Sequence, residues 1–159
     1  MSETLIRAKL VEIVRSVTGA ENVYDYPITF TTWDDFISHF KDSTGKILGF
    51  EIARRAAKEN YDDPDEATCT HGYIIKGYMG INNAGASDKA FQSLLEAIRD
   101  RFRFDHGLSG VDLDAQGNKV MEATNVTPVQ VERSDERLFG SVLCHYAEMA
   151  ISVSELITR

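Results

Sequence analysis

The sequence predicts an α+β domain in which three helices pack on an antiparallel sheet of roughly four strands, arranged as two hairpins. Three segments repeat apolar residues at helical spacing, at residues 3–17, just after Thr32 and at 88–105. Four other segments have the composition and alternation of strands, and short turns join them in two pairs. Helices and strands do not alternate along the chain as they would in a parallel, doubly wound sheet.

The size and charge of the chain limit the classes of function. Its 159 residues suit one domain over residues 1–159, and 43% hydrophobic with 26% charged residues is typical of a folded protein. A formal net charge of -8 disfavours nucleic-acid binding, which rests largely on Lys and Arg neutralising phosphates. No apolar run is long enough to cross a membrane and no signal-peptide core is present, so a cytoplasmic protein is expected.

The first two helices follow from apolar spacing and from the residues at their ends. Gly19 is expected to end the first helix, and Gly45 marks the latest end of the second. Thr32 precedes the second helix with Asp35 three residues on, a capping-box-like start with Asp in place of Glu. The two apolar stripes are Ile6, Leu10, Ile13, Val14 and Val17, and then Trp33, Phe36, Ile37 and Phe40.

Residues 47–60 fit both a helix and an alternating strand. The strand that follows, which ends near Ile81, is clearer because β-forming residues dominate it. The turn sequence DDPDE joins the two segments, so the sequence predicts a hairpin with residues 47–60 as its first arm. One face of the second arm carries Cys69, His71, Tyr73, Ile75, Met79 and Ile81.

Ser87 is expected to be the N-cap of the third helix, residues 88–105. Arg99 and Arg103 each lie within a turn of Glu96 or Asp100, which predicts a solvated face with ion pairs. Residues 111–127 are polar and predict a long loop or a small hairpin, and the last two strands follow. The third helix has the stripe Phe91, Leu94, Leu95, Ile98 and Phe102, and the last strand alternates Leu143, His145, Ala147, Met149, Ile151 and Val153.

The run Asn82-Asn83-Ala84-Gly85 matches the NNAG signature of short-chain dehydrogenases. That activity also needs a glycine-rich turn between a strand and a helix upstream, and a Tyr four residues before a Lys downstream. Neither is present. The nearest upstream candidate, at residue 18, has one glycine and follows a predicted helix, and Tyr146 is followed at the fourth position by Ala150. The sequence therefore predicts a turn between a strand and a helix, with no nucleotide cofactor.

The two cysteines and four histidines raise the question of a metal site. Cys69 and His71 share a face of one strand, whereas Cys144 and His145 are neighbours and point to opposite faces. Cys69, His71 and His145 could still converge on the inward face. The simpler interpretation is buried reduced thiols and core histidines, and residues alone leave the choice open.

Residues 112–123 begin like a calcium loop, with Asp112 and Asp114 at its first and third positions. The twelfth position is Ala123 where a bidentate Glu is required, so a plain turn at Gly117 and Asn118 explains the segment better. No spacing of Ser, His and acid selects a catalytic set. We therefore expect no metal, no cofactor and no enzymatic activity.

Three stretches of the chain together resemble the tail-terminator and tail-completion proteins of long-tailed bacteriophages. They are GFEIARRAAKE, THGYIIKGYMGINNAGASDKAFQSLLEAIRDRF and LFGSVLCHYAEMAISVSE. The resemblance covers residues 47–105 and 136–156, with a looser match over the first helix, and it carries no catalytic signature. In that family the segment equivalent to 47–60 is the first arm of a hairpin.

The resemblance implies a virion-assembly protein without enzymatic activity. Its subunits form a ring, commonly a hexamer, which caps the tail tube and joins it to the head or neck proteins. Such a protein works in the host cytoplasm during assembly and then in the virion, and an acidic ring lets DNA pass without specific binding. Contacts with other subunits or with the tail are expected at Asp62, Asp63, Asp65, Asn82, Asn83, Asp112, Asp114 and Asn118.

An open four-stranded sheet leaves two edges, which a ring can close by heterologous contacts between neighbours. The alternative function is a small adaptor, monomeric or dimeric, that binds a partner protein through one exposed edge. A small enzyme is a third and more distant interpretation, which would need a deep pocket with perturbed titratable groups.

Overall fold

The computed structural model describes residues 2–105, 108 and 122–158. This part of the chain is α+β, with three helices and six strands in one sheet. The helices are α1 (Ser2–Arg15), α2 (Trp33–Phe40) and α3 (Ser87–Phe102). The strands are β1 (Val23–Tyr24), β2 (Leu48–Asp63), β3 (Glu66–Gly80), β4 (Glu122–Val126), β5 (Gln130–Phe139) and β6 (Val142–Thr158).

The sheet has the order β1-β2-β3-β6-β4, and β5 also pairs with β6. The two predicted hairpins are β2-β3 and β5-β6, and residues 47–60 are strand as predicted. β4 and β5 lie end to end along the same strand, because β4 pairs with residues 153–156 of β6 and β5 with residues 142–150. The four long strands are therefore the predicted antiparallel set.

The prediction of four antiparallel strands was incomplete, because the described sheet has six strands and is mixed. β1 pairs with β2 in parallel over only two residues, which is too short to produce a periodic pattern. β4 lies in the polar segment that predicted a loop or small hairpin, and its pairing with β6 is what makes it a strand.

Apolar clusters cover both faces of the sheet. On one face α1 and α3 pack on the central strands, and the predicted stripes are buried there except for Leu94, which is partly buried. Val17 of the first stripe lies just after α1. On the other face α2 packs with the loop before it, through Phe36, Phe40, Tyr78 and Tyr146. Phe36 is stacked on Phe139 with ring centroids 5.1 Å apart. Within the described residues, no helix is long and apolar enough to cross a membrane.

The helix ends agree with the sequence at α2 and differ at α3. Thr32 Oγ1 accepts the Asp35 N–H at 3.2 Å, as predicted, while the Asp35 carboxylate accepts from the Thr31 hydroxyl and not from a backbone N–H of Thr32. Ser87 was predicted as the N-cap of α3, and this was wrong. The cap is Ala86 in a left-handed conformation with φ +50°, and Ser87 is the first helical residue. Its hydroxyl is already engaged with Asn82 and His145.

Smaller differences lie at element ends, and α1 ends at Arg15 and not at residue 17. α3 ends at Phe102 and not at residue 105, and β3 ends at Gly80, before Ile81. Leu143 shares the alternation of β6 but is 47% exposed, because it lies at the turn of the last hairpin. The predicted ion pairs of α3 are present, with Arg99 Nη1 and Arg103 Nη1 each 2.6 Å from the carboxylate of Glu96 and Asp100.

Candidate functional site

Two long strand edges of the described sheet are exposed. β1 covers β2 only at Phe50 and Glu51, so residues 54–63 of β2 have no strand on their outer side among the described residues. Every one of these ten residues is exposed. β5 forms the opposite edge and is exposed from residue 130 to 136. Both edges therefore present unpaired backbone groups.

The acidic residues predicted as contacts lie at the tip of the β2-β3 hairpin. Asp62 Oδ2 accepts from the Thr68 hydroxyl at 2.6 Å, and Asp63 Oδ1 accepts the Asp65 N–H at 2.7 Å. The carboxylates of Asp62 and Asp63 therefore hold the turn, and all three Asp side chains are exposed. Beside them Tyr61 is 81% exposed and Ile157 is 43% exposed.

Asn82 and Asn83 lie at the other end of β3, some 50 Å away for a strand of 15 residues. The two groups of predicted contact residues are therefore not brought together. Asn82 is used locally, since its Oδ1 accepts the Gly85 N–H at 3.1 Å and its carbonyl accepts the Ser87 N–H at 3.1 Å. The run from Gly80 to Ser87 is a closed turn, as predicted. Asp112, Asp114 and Asn118 lie outside the described residues.

His145 does not join Cys69 and His71, so the convergence of these three residues that the sequence left open does not occur. In the β3-β6 register His71 is opposite Val153, while His145 is opposite Met79, eight residues further along β3. His145 instead bonds Ser87 Oγ through Nε2 at 2.8 Å, lies 3.7 Å from Glu136 through Nδ1 and stacks on Phe91. Its ring belongs to the junction between β6 and α3.

A different trio forms around His71. The ligand-type atoms of Cys69, His71 and Glu155 lie within 4.8 Å of one another, and all three residues are buried. His71 Nε2 is 2.7 Å from Glu155 Oε1, and Arg54 Nη1 is 3.4 Å from His71 Nδ1. A guanidinium only donates, so His71 Nδ1 accepts and Nε2 carries the proton that it donates to Glu155. Glu155 enters the trio through its register opposite Cys69, a long-range pairing that local periodicity does not show.

Neither described cysteine has the character of a nucleophile. Burial raises the pKa of the Cys69 thiol, and the nearby carboxylates of Glu155 and Glu59 raise it further. Burial raises the pKa of the Cys144 thiol to about 11. A reactive cysteine needs the opposite shift, toward the thiolate.

On the opposite face, the buried carboxylate of Glu51 was not singled out from the sequence. Its Oε2 accepts the Ile28 N–H at 2.9 Å, and its Oε1 accepts from the Tyr78 hydroxyl at 3.2 Å with Lys76 Nζ 3.5 Å away. Burial and the Glu51 charge raise the pKa of Tyr78. These contacts hold the loop before α2 on the sheet, which is a structural role.

No protein-family model matches the chain. No curated protein matches it either. Among solved structures, a chain from the virion of a native gene transfer agent (GTA) particle is similar over 94% of this chain and 93% of that one, at 10% identity and a TM-score of 0.45. A similarity this weak carries no conclusion about function.

Proposed function

We propose that this protein is a structural component of virion assembly in a phage-like particle, and that its subunits form a ring on the tail tube as a tail terminator or tail-completion protein. The proposal starts from the residue pattern over 47–105 and 136–156, which resembles that family. The hairpin arm expected from the resemblance is present as β2. The partners would be further copies of this chain, the tail-tube protein and the head or neck proteins.

The observation that carries the proposal is the pair of exposed edges on one sheet. Along the sheet β2, β3, β6 and β5 alternate in direction, so β5 of one copy is antiparallel to β2 of a neighbour in the same orientation. Repeating that contact by rotation gives a heterologous interface, which closes into a ring when the rotation closes. Through β6 and β3, the exposed stretch 130–136 of β5 lies level with residues 48–53 of β2, so residues 54–63 meet it only if the neighbour is shifted along the strand direction. Paired in that way, the edges would also satisfy the backbone groups that each leaves exposed.

A role without catalysis agrees with the chemistry of the buried groups. Burial raises the pKa of the Cys69 and Cys144 thiols, which disfavours the reactive thiolate form. The Ser87 hydroxyl is hydrogen-bonded to the turn before α3, and the Glu51 carboxylate holds the loop before α2. The net charge of -8 suits a ring through which DNA passes, because like charges repel.

The test is the assembly state of the full chain and of an edge variant. The Phe50 N–H points away from β3, to Asn22 O, and side-chain and N–H directions alternate together along a strand. Ala57 is opposite His71 on the helix-packed face that Phe50 shares, so its N–H points outward too. Ala57→Pro removes that outward donor and keeps the ladder to β3, and Ala57→Val is the matched control that keeps the donor.

Native mass spectrometry of the purified chain, alone and mixed with purified tail tubes, should detect a closed oligomer for the wild type and Ala57→Val. Ala57→Pro should shift the population toward monomer with an unchanged circular-dichroism spectrum. A wild-type chain that stays monomeric at all concentrations and never binds tubes would contradict the ring. One dominant complex with a different protein, through the same edge, would favour the adaptor.

A further inference from the structure

Cys69, His71 and Glu155 combine, in one buried cluster, the three ligand types that zinc prefers in proteins. We propose that this cluster binds one divalent transition-metal ion of the zinc class, through Cys69 Sγ, His71 Nε2 and a Glu155 carboxylate oxygen. The proposal concerns the hairpin end of the sheet, and it does not depend on the ring or on any virion partner.

The geometry needs only small adjustments. In a tetrahedral zinc site with bonds of about 2.0–2.3 Å, neighbouring ligand atoms are roughly 3.3–3.6 Å apart. The three atoms here already lie within 4.8 Å, and His71 Nε2 and Glu155 Oε1 are 2.7 Å apart. The proton between these two atoms occupies the place that the ion would take. If the distance between His71 Nε2 and Glu155 Oε1 increases by about 0.6 Å and the Cys69 thiol turns inward, the three atoms occupy three ligand positions of a tetrahedral site.

The backbone holds the three residues in place before any ion arrives. Cys69 and Glu155 are register partners on β3 and β6, and His71 lies two residues along β3 on the same face. All three are at most 8% exposed, so a bound ion would be shielded from competing water. Glu59 is opposite Cys69 on β2, on the same face, and its carboxylate or a water molecule can supply the fourth ligand.

Binding has a defined proton balance. The Cys69 thiol loses its proton to solvent as the sulfur–metal bond forms, while the His71 proton moves from Nε2 to Nδ1, so one proton is released per ion. His71 Nδ1–H then faces the Arg54 guanidinium, which is also a donor. Arg54 has to turn away, and its exposed position on the β2 edge lets it turn into solvent.

Cobalt(II) is the probe, because a thiolate ligand gives it a charge-transfer absorption in the near ultraviolet. The reduced full-length chain, freed of metal with a chelator, should develop this band with one Co²⁺ per chain, and Zn²⁺ should abolish it by displacement. The matched controls are Cys144→Ser and His145→Gln, which alter the same residue types away from the cluster and should keep the band. Cys69→Ser should lose the band, and Glu155→Gln should weaken binding more than about 100-fold.

Folding is checked by circular dichroism, and a second readout uses only proteins whose proposed ligands are intact. With excess Zn²⁺, the wild type and Cys144→Ser should rise in Tm and release one proton per ion. The proposal is overturned if the wild type shows no band, no proton release and no change in Tm, or if Cys144→Ser loses the band while Cys69→Ser keeps it.

Discussion

Ser87 Oγ lies 2.8 Å from His145 Nε2, between the first turn of α3 and the start of β6. The same oxygen accepts the Asn82 N–H at 2.7 Å, so one hydroxyl connects the turn after β3 to a strand far away in the sequence. The run at residues 80–87, which imitates a cofactor motif, is connected to β6 through this side chain.

Replacing Ser87 by alanine should destabilise the fold by about 1–3 kcal/mol, because His145 and the Asn82 N–H each lose a buried hydrogen-bond partner. Urea unfolding followed by circular dichroism measures the change in the free energy of unfolding. Ser93→Ala is the control, since Ser93 is an exposed residue of the same helix, and it should change stability by less than about 0.5 kcal/mol. Equal effects of the two substitutions would contradict the assigned role of Ser87.

Gly49→Ala should destabilise the fold for a steric reason. A Cβ at this position would lie 2.1 Å from Phe40 Cδ1 and 3.2 Å from Asn22 O, so the aromatic cluster of α2 would have to move. We expect the free energy of unfolding, measured by thermal or urea unfolding, to fall by about 1–3 kcal/mol. Gly80→Ala is the matched control, because its Cβ would meet nothing closer than 3.7 Å, and a comparable loss there would show that sterics is not the cause.

Asp42 should make the turn before β2 sensitive to acid. Burial raises the pKa of its carboxyl, but hydrogen bonds from Thr44 and Lys46 outweigh burial and lower it. A pKa that is lower in the folded state gives stability that is present above the unfolded value, near 3.8, and is lost as the pH falls through the folded value.

The stability advantage of the wild type over Asp42→Ala should therefore be full at pH 6 and shrink below about pH 4. Thermal unfolding across this range measures it. Thr44→Val removes one of the hydrogen bonds to the same carboxylate and should lose part of the pH dependence. A difference between wild type and Asp42→Ala that is the same at pH 6 and pH 3 would contradict this assignment.

Cys144 should be inert in the native protein. With a pKa raised to about 11 and no exposed surface, it holds roughly one thiolate per thousand molecules at pH 8. In the Cys69→Ser variant Cys144 is the one remaining cysteine. A thiol-specific disulfide reagent should react with it only when urea unfolds the chain. Rapid reaction in the absence of urea would mean that the aromatic cluster around Phe36 and Tyr146, which contains Cys144, opens to solvent.

The features that the sequence predicted correctly depend on local periodicity. The stripes of α1 and α3 are regular over several turns, and the β2-β3 turn is marked by Pro64 between acidic residues. The choice of strand for residues 47–60 needed more than their own pattern, because alternation and helical spacing both fitted. The neighbouring strand and the turn decided it correctly.

The features that the sequence missed depend on contacts between distant residues. The position of Glu155 beside Cys69 follows from the register of β3 on β6, and His71 is separated from its carboxylate partner by 84 positions in the sequence. Ser87 has the side chain of a good N-cap, but its hydroxyl is hydrogen-bonded to the distant residue His145 and does not cap the helix. β1 is a strand only because β2 lies beside it.

The two clusters on opposite faces of the sheet have a consequence for strand alignment. Along β6, Tyr146 points into the aromatic cluster, while its neighbours Ala147 and His145 point toward α3. Sliding β6 by a single residue would send a tyrosine into the space of an alanine and leave the aromatic cluster with a hole. Packing on both faces of the sheet therefore disfavours any shift of β6. The volumes of its side chains, and not the turns alone, fix the register of β6 on the neighbouring strands.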